Sequence, residues 1–286
     1  TQGVSSAASD VYKRQGQTAT ENIDKNQGTV HDVSDQLGML SSISKTALRI
    51  DKPEDVLEKL LDAVKIALTP PTGPVSIEIP IDIQRTVIKR PNNLEQIKIP
   101  SIELKLGETS SIDKIETIIK GSKRKLLWVG NGCKFARDEV EKFINMGFAL
   151  VTSTQGRGVI PESSHMSLGA FNAVPLIVDF YKTIDLMIVV GSRLRGHETR
   201  DMSLKLPENI IQIDIDPKAE NRTYKTDLFH CGDAKKVLSE LSNRLSNQLT
   251  LDKEWENEIS QLKNKILEDY KNCLLYTSDA ADDTPC

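Results

Sequence analysis

Glycine is concentrated where the chain leaves short apolar runs. After LLWV come Gly130, Asn131 and Gly132, and after LMIVV come Gly191, Ser192, Arg193, Leu194, Arg195 and Gly196. Glycine lets a backbone approach a ligand closely, and the amides at a following helix N-terminus attract phosphate, so these loops suit a nucleotide-shaped ligand. Arg193 and Arg195 could neutralise a diphosphate or be solvated loop charges. Asp214 and Asp216 end the run NIIQIDID, where an acid either accepts from a ribose hydroxyl or caps the turn at Pro217. Glycine after a strand also serves turn geometry alone. The dinucleotide fingerprint is incomplete too, because Phe135 stands three residues after Gly132.

Other chemistries are easier to set aside. Cys133, Cys231, Cys273 and Cys286 are far apart with no C-x-x-C pair, and the 4 histidines are equally scattered, so no metal site is expected. The 37 basic and 41 acidic residues are interspersed, which offers no basic stripe to a phosphate backbone; nucleic acid is excluded as an expected partner. No apolar run approaches the roughly eighteen residues of a bilayer span, and no signal pattern opens the chain. No membrane contact is therefore expected, and the reading is of a cytoplasmic protein.

The elements that position the glycine loops follow from hydrophobic spacing. Val56, Leu60, Ala63, Val64 and Ala67 recur at helical intervals until Pro70 and Pro71. Val75, Ile77 and Ile79 then alternate as a short strand does, with Pro80 at its exit. Residues from 85 to about 111 have Pro91, Pro100 and no period, which predicts a surface linker. From 112 onward helices (112–121, 137–146, around 173–182, 234–244) separate the continuous apolar strands KLLWVG, ALVTST, DLMIVVG and NIIQIDID. Such strands predict an α/β domain with a doubly wound parallel sheet covered on both faces. A charged segment, 251–270, carries Trp255, Ile259, Leu262, Ile266 and Tyr270 at helical spacing and is expected to pack on something, a further domain included.

Several strings together resemble one family. TGPVSIEIPIDIQ (72–84) is similar to the signature that closes the pyrimidine-binding domain of acetolactate synthases and related decarboxylases. WVGNGC, TSTQGRGVIPESSHMSLGAF, DLMIVVGSRL, IIQIDIDP and CGDA follow in the order of that family's Rossmann-like central domain. The resemblance implies an acetolactate synthase-like carboligase or decarboxylase that uses thiamine diphosphate and magnesium on a 2-oxo acid such as pyruvate. It further implies a homo-oligomer, dimer or tetramer, when full-length. Such a cofactor supplies an electron sink beside the substrate carbonyl.

The resemblance also implies site residues. His31 and Asp32, with Val30, stand where the family has a Phe-Gln-Glu-like triplet, and Lys45 where it has a lysine, both near substrate or cofactor. His31 in place of glutamine puts the substrate in doubt, and a loop start alone would also explain His31 and Asp32. The family's activating glutamate and its G-D-G magnesium motif have no counterpart here; Gly232-Asp233-Ala234 lacks the third glycine. No catalytic group and no metal ligand is therefore assigned within the chain. By position, Gly130, Asn131, Gly132, Ser153, Thr154, Gly169, Gly191, Arg193, Asp214 and Asp233 would line the flavin site of acetolactate synthases. The segment from Leu194 to Glu198 departs from flavin-binding members, so FAD, an adenosine nucleotide or an empty crevice are all compatible.

The implied organisation is a non-native or disordered tail (1–15), the end of a pyrimidine-binding domain (16–90), a linker (91–111), the central domain (112–245), a linker helix (246–272) and a second non-native tail (273–286). Both tails resemble translated sequencing-adapter DNA, which predicts a fragment of a longer enzyme, inactive by itself. The competing readings are a stand-alone nucleotide-binding α/β module and a non-catalytic relative.

Overall fold

The computed structural model describes residues 17–92 and 94–279. The expected tail 1–15 lies outside the described residues, as does the second tail beyond residue 279. The chain divides into two compact units, Thr1–Glu103 and Leu104–Cys286.

In the first unit, α1 (Gln36–Ile43) leads to β1 (Thr46–Arg49), then α2 (Val56–Leu68), β2 (Val75–Glu78) and α3 (Ile81–Arg85). β1 and β2 pair in parallel, Thr46 opposite Val75 and Arg49 opposite Glu78. Asp35 starts α1 by accepting from the Gly38 amide, satisfying one of the helix's orphan donors. Alternation along β2 predicts an outward Glu78, yet this side chain is buried. Its carboxylate is compensated by Arg49 on the neighbouring strand and by Gln17, whose Nε2 donates at 2.8 Å. Without such partners a buried carboxylate carries a large desolvation cost. Pro80, at the strand exit, begins α3 instead of an open loop.

The second unit alternates α4 (Thr109–Gly121), β3 (Lys125–Val129), α5 (Arg137–Asn145), β4 (Ala149–Thr152), α6 (Pro175–Tyr181), β5 (Leu186–Val190), β6 (Ile210–Asp214), β7 (Leu228–Cys231), α7 (Ala234–Leu245) and α8 (Lys253–Asp279). The five strands are all parallel in the order β4-β3-β5-β6-β7. Every residue of β3, β4, β5 and β6 is buried, as strands covered on both faces must be, which is the doubly wound α/β fold the apolar runs predict. β7 is the strand that spacing did not reveal: four residues, LFHC, at a sheet edge and only partly buried. Just before α4, the Asp233 amide donates to the Lys105 carbonyl at 2.8 Å, so residues 105–108 run beside β7. Gly107 sits there at φ +93, and a Cβ on it would meet the Cys231 carbonyl at 2.4 Å. α8 packs on this unit: Trp255, Ile259 and Ile266 join its core.

Candidate functional site at the sheet crest

In a parallel sheet the place where strand order reverses leaves a crevice beyond the carboxyl ends, and ligands settle there. Here the chain goes from β3 outward to β4, then back across to β5, so the reversal lies between β3 and β5. The loops after those strands are the two glycine-rich ones. All ten residues expected to line a cofactor stand along this crest, since each follows a strand end or pairs with one.

Their groups are largely engaged already. Gly130 and Gly132 donate their amides to Val190 and Gly191 carbonyls at 2.9 and 3.0 Å. Glycine is required because the loops touch: a Cβ on Gly130 would lie 2.2 Å from the Gly191 carbonyl oxygen, and one on Gly191, at φ +57, 2.6 Å from the Gly132 Cα. Asn131 between them is exposed. After β4, Ser153 caps the turn Thr154–Gly156, its hydroxyl accepting from the Gly156 amide at 2.9 Å. The Gly169 carbonyl accepts from the Thr152 amide at 2.9 Å.

The acids at the far side are held by turns. Asp214 accepts from the Asp216 amide at 2.9 Å, and Asp216 accepts from the Lys218 amide at 3.0 Å and from Arg222 at 2.6 Å. Burial pushes the Asp214 carboxyl above the usual aspartate range despite the Asp216 amide, while neighbouring Asp216 adds to the rise. Burial also opposes ionisation of Asp216, but the Arg222 and Lys218 hydrogen bonds outweigh it and hold that carboxyl below the usual range. Arg193, exposed, has its charge set against both acids. Asp233 caps α7, accepting from the Lys236 amide at 3.0 Å. Cys133 is buried, whereas Cys231 is exposed at the sheet edge.

Sequence spacing did not single out Glu198. It is buried at 6% exposure in the loop after β5, and its carboxylate accepts from the Thr154 amide at 2.6 Å. A lone glutamate in a polar loop gives no pattern to find it by.

In the first unit, His31, Asp32 and Lys45 do not converge. His31, in left-handed backbone at φ 68, is exposed and borders an open hollow of 480 Å³ with Thr18, Thr29, Gln84 and Arg85. Asp32 turns to the Gly28 amide at 3.0 Å. The Lys45 ammonium donates to the Ile66 and Thr69 carbonyls at 2.7 and 2.5 Å, satisfying the C-terminal end of α2. Arg85, which no motif pointed to, joins His31 on the hollow. Among the described residues no group of three or more His, Cys, Asp or Glu side chains could hold a metal ion, and no helix is long and apolar enough to cross a membrane.

Residues 112–241 match the family described as thiamine pyrophosphate enzyme, central domain. The chain is 31% identical over 243 residues to a protein of Methanocaldococcus jannaschii described as an acetolactate synthase large subunit, covering 80% of this chain and 40% of that one. It is 27% identical over 252 residues to the acetolactate synthase large subunit of Corynebacterium glutamicum, covering 83% and 39%. The chain thus spans about two fifths of the length of these relatives. Its fold is similar to the X-ray structure of a candidate thiamin diphosphate-dependent enzyme from Mycobacterium smegmatis, with TM-score 0.62 and 22% identity over 80% of this chain and 44% of that one.

Proposed function

We propose, from the match of residues 112–241 to the thiamine pyrophosphate enzyme central domain, that the protein serves thiamine-diphosphate-dependent carboligation or decarboxylation of a 2-oxo acid such as pyruvate. The observation that carries this reading is the extent of one match. It covers 80% of the chain, more than the larger unit holds, so it runs through both units in the order of an acetolactate synthase large subunit. A stand-alone nucleotide-binding module would account for the second unit alone.

The described residues supply no magnesium site: no group of three or more His, Cys, Asp or Glu side chains among them could hold a metal ion, and Asp233 is used as a helix cap. We therefore assign catalysis to the complete assembly, a cytoplasmic homo-oligomer in which the modules bearing the activating glutamate and the G-D-G motif hold thiamine diphosphate and Mg²⁺. The present chain alone is inactive. Its own contribution on the substrate side is the hollow beside His31 and Arg85, whose imidazole and guanidinium suit a carboxylate. Lys45 belongs to the helix end and Asp32 to its loop.

The test places residues 17–272 in the corresponding segment of the C. glutamicum relative and supplies thiamine diphosphate, Mg²⁺ and pyruvate. Carbon dioxide release with acetolactate formation is the expected result, against none from the chain alone. A completed protein that folds and binds thiamine diphosphate but turns over no 2-oxo acid would sink the reading.

A further inference from the structure

The crest of the five-stranded sheet was a candidate for FAD or an adenosine nucleotide, and its residues do not fit one. A diphosphate at a strand-order reversal needs backbone amides free to point at it. Three that stand there are committed to the chain: Gly130 to Val190, Gly132 to Gly191 and Gly191 to Ile213, all between 2.9 and 3.0 Å. The room is committed as well. Gly191 packs on the Gly132 backbone from one side. From the other, Gly156 packs on the end of β3, where an added Cβ would lie 2.3 Å from the Val129 carbonyl oxygen.

Two contacts close the loops over this packing. The Glu198 carboxylate takes the Thr154 amide at 2.6 Å, and the Arg200 guanidinium donates to the Ala173 carbonyl. Each ties the loop after β5 to the segment after β4, and β3 lies between those strands in the sheet. The spanning loop keeps Thr199 fully buried, and Leu194, Arg200, Asp201 and Met202 in left-handed backbone. Non-glycine residues hold that conformation only where surrounding contacts over-determine it. A carboxylate bonded to the Thr154 amide also meets a phosphate with like charge, which raises the cost of any rearrangement that would admit one.

We propose that the crest is closed by the chain's own backbone and latched by Glu198 on the Thr154 amide, so that this central domain takes neither flavin nor adenosine nucleotide and acts as a rigid support. The proposal is independent of which 2-oxo acid the protein serves.

Two measurements on the full chain decide it. The first titrates FAD by flavin fluorescence and ADP by calorimetry. No saturable binding is expected, and 1:1 binding of either ligand at a Kd of roughly 10 μM or tighter overturns the closed crest. The second follows amide hydrogen exchange in Glu198→Ala and Glu198→Gln. The alanine variant should exchange the Thr154 amide about tenfold faster than wild type, because a hydrogen bond is lost, while the glutamine variant keeps a carbonyl acceptor and stays near wild type. Equal protection of Thr154 in all three proteins refutes the latch. Should the alanine variant fail to fold, a Thr154 amide that exchanges in wild type as fast as an unstructured amide refutes it equally.

Discussion

Asp214 and Asp216 sit two residues apart, and their surroundings drive them in opposite directions. The Asp214 carboxyl is raised by burial, so the folded state holds its proton more tightly than the unfolded chain. Stability from this group is present below the ordinary aspartate range and is lost as pH rises through the raised value. Asp216 is lowered, so its contribution is present above the ordinary range and is lost as pH falls toward its folded value. Asp214→Asn should therefore raise the urea midpoint at pH 7, since the asparagine carbonyl still accepts from the Asp216 amide. Asp216→Asn removes the charged partner of Arg222 and should cost about 1 kcal/mol at pH 7. Urea titrations at pH 7 and pH 4 check both, and an Asp214→Asn protein less stable than Asp216→Asn at pH 7 would contradict the assignment. The sequence left ribose contact and turn capping open for these acids because both uses need an acid at a strand end. Only the positions of the Asp216 and Lys218 amides distinguish them. His31 and Lys45 show a related limit: the motif locates both, but whether a side chain faces a hollow or a helix end depends on α2, which lies elsewhere in sequence.

At the scale of elements, burial decided what could be read. β3, β5 and β6 are five-residue runs buried on both faces, so composition alone marks them. β1 and β7 have four residues each and are only partly buried, and β1 finds its partner 29 positions away in parallel register, a pairing that leaves no local trace. α8 was visible as a stripe, while its docking surface was not. Trp255 explains the docking: it stacks on Phe180 with centroids 5.8 Å apart, lies 4.3 Å from the Arg124 guanidinium, and donates Nε1 to the Gly147 carbonyl at 3.0 Å. Arg124 also pairs with Glu258 on α8. Trp255→Ala should cost about 3–5 kcal/mol, the range for removing a large buried aromatic side chain. Trp255→Phe keeps most of the apolar area but strands the Gly147 carbonyl, at about 1–2 kcal/mol. Urea unfolding followed by circular dichroism separates the two. A Trp255→Ala protein within about 1 kcal/mol of wild type would mean that α8 adds little to this unit.

At the scale of the molecule, the two units differ in how much of their surface they can bury. The second has five parallel strands with a contiguous core; the first has two, and two strands rarely suffice for independent stability. The first unit also leaves Leu60, Val64 and Leu68 of α2 and Met39 and Ile43 of α1 partly exposed, which places it at the weaker end of the chain's stability range. Between α3 and Lys105 the described residues form no helix or strand beyond one turn, Leu94–Gln96, and Lys89 and Lys98 are exposed there. From Lys105 onward the backbone is tied to Asp233, so protease access should fall sharply. Brief trypsin treatment should accordingly cut first at Arg85, Lys89 and Lys98, sparing Arg90 because Pro91 follows it, and leave a resistant product beginning near Ile99. Calorimetry of the intact chain should show two transitions, with the lower one absent from the product and the upper one unmoved. Both units disappearing at one rate under trypsin, or a single transition lost whole on cleavage, would show that the second unit draws its stability from the first and cannot serve as the rigid support inferred for it.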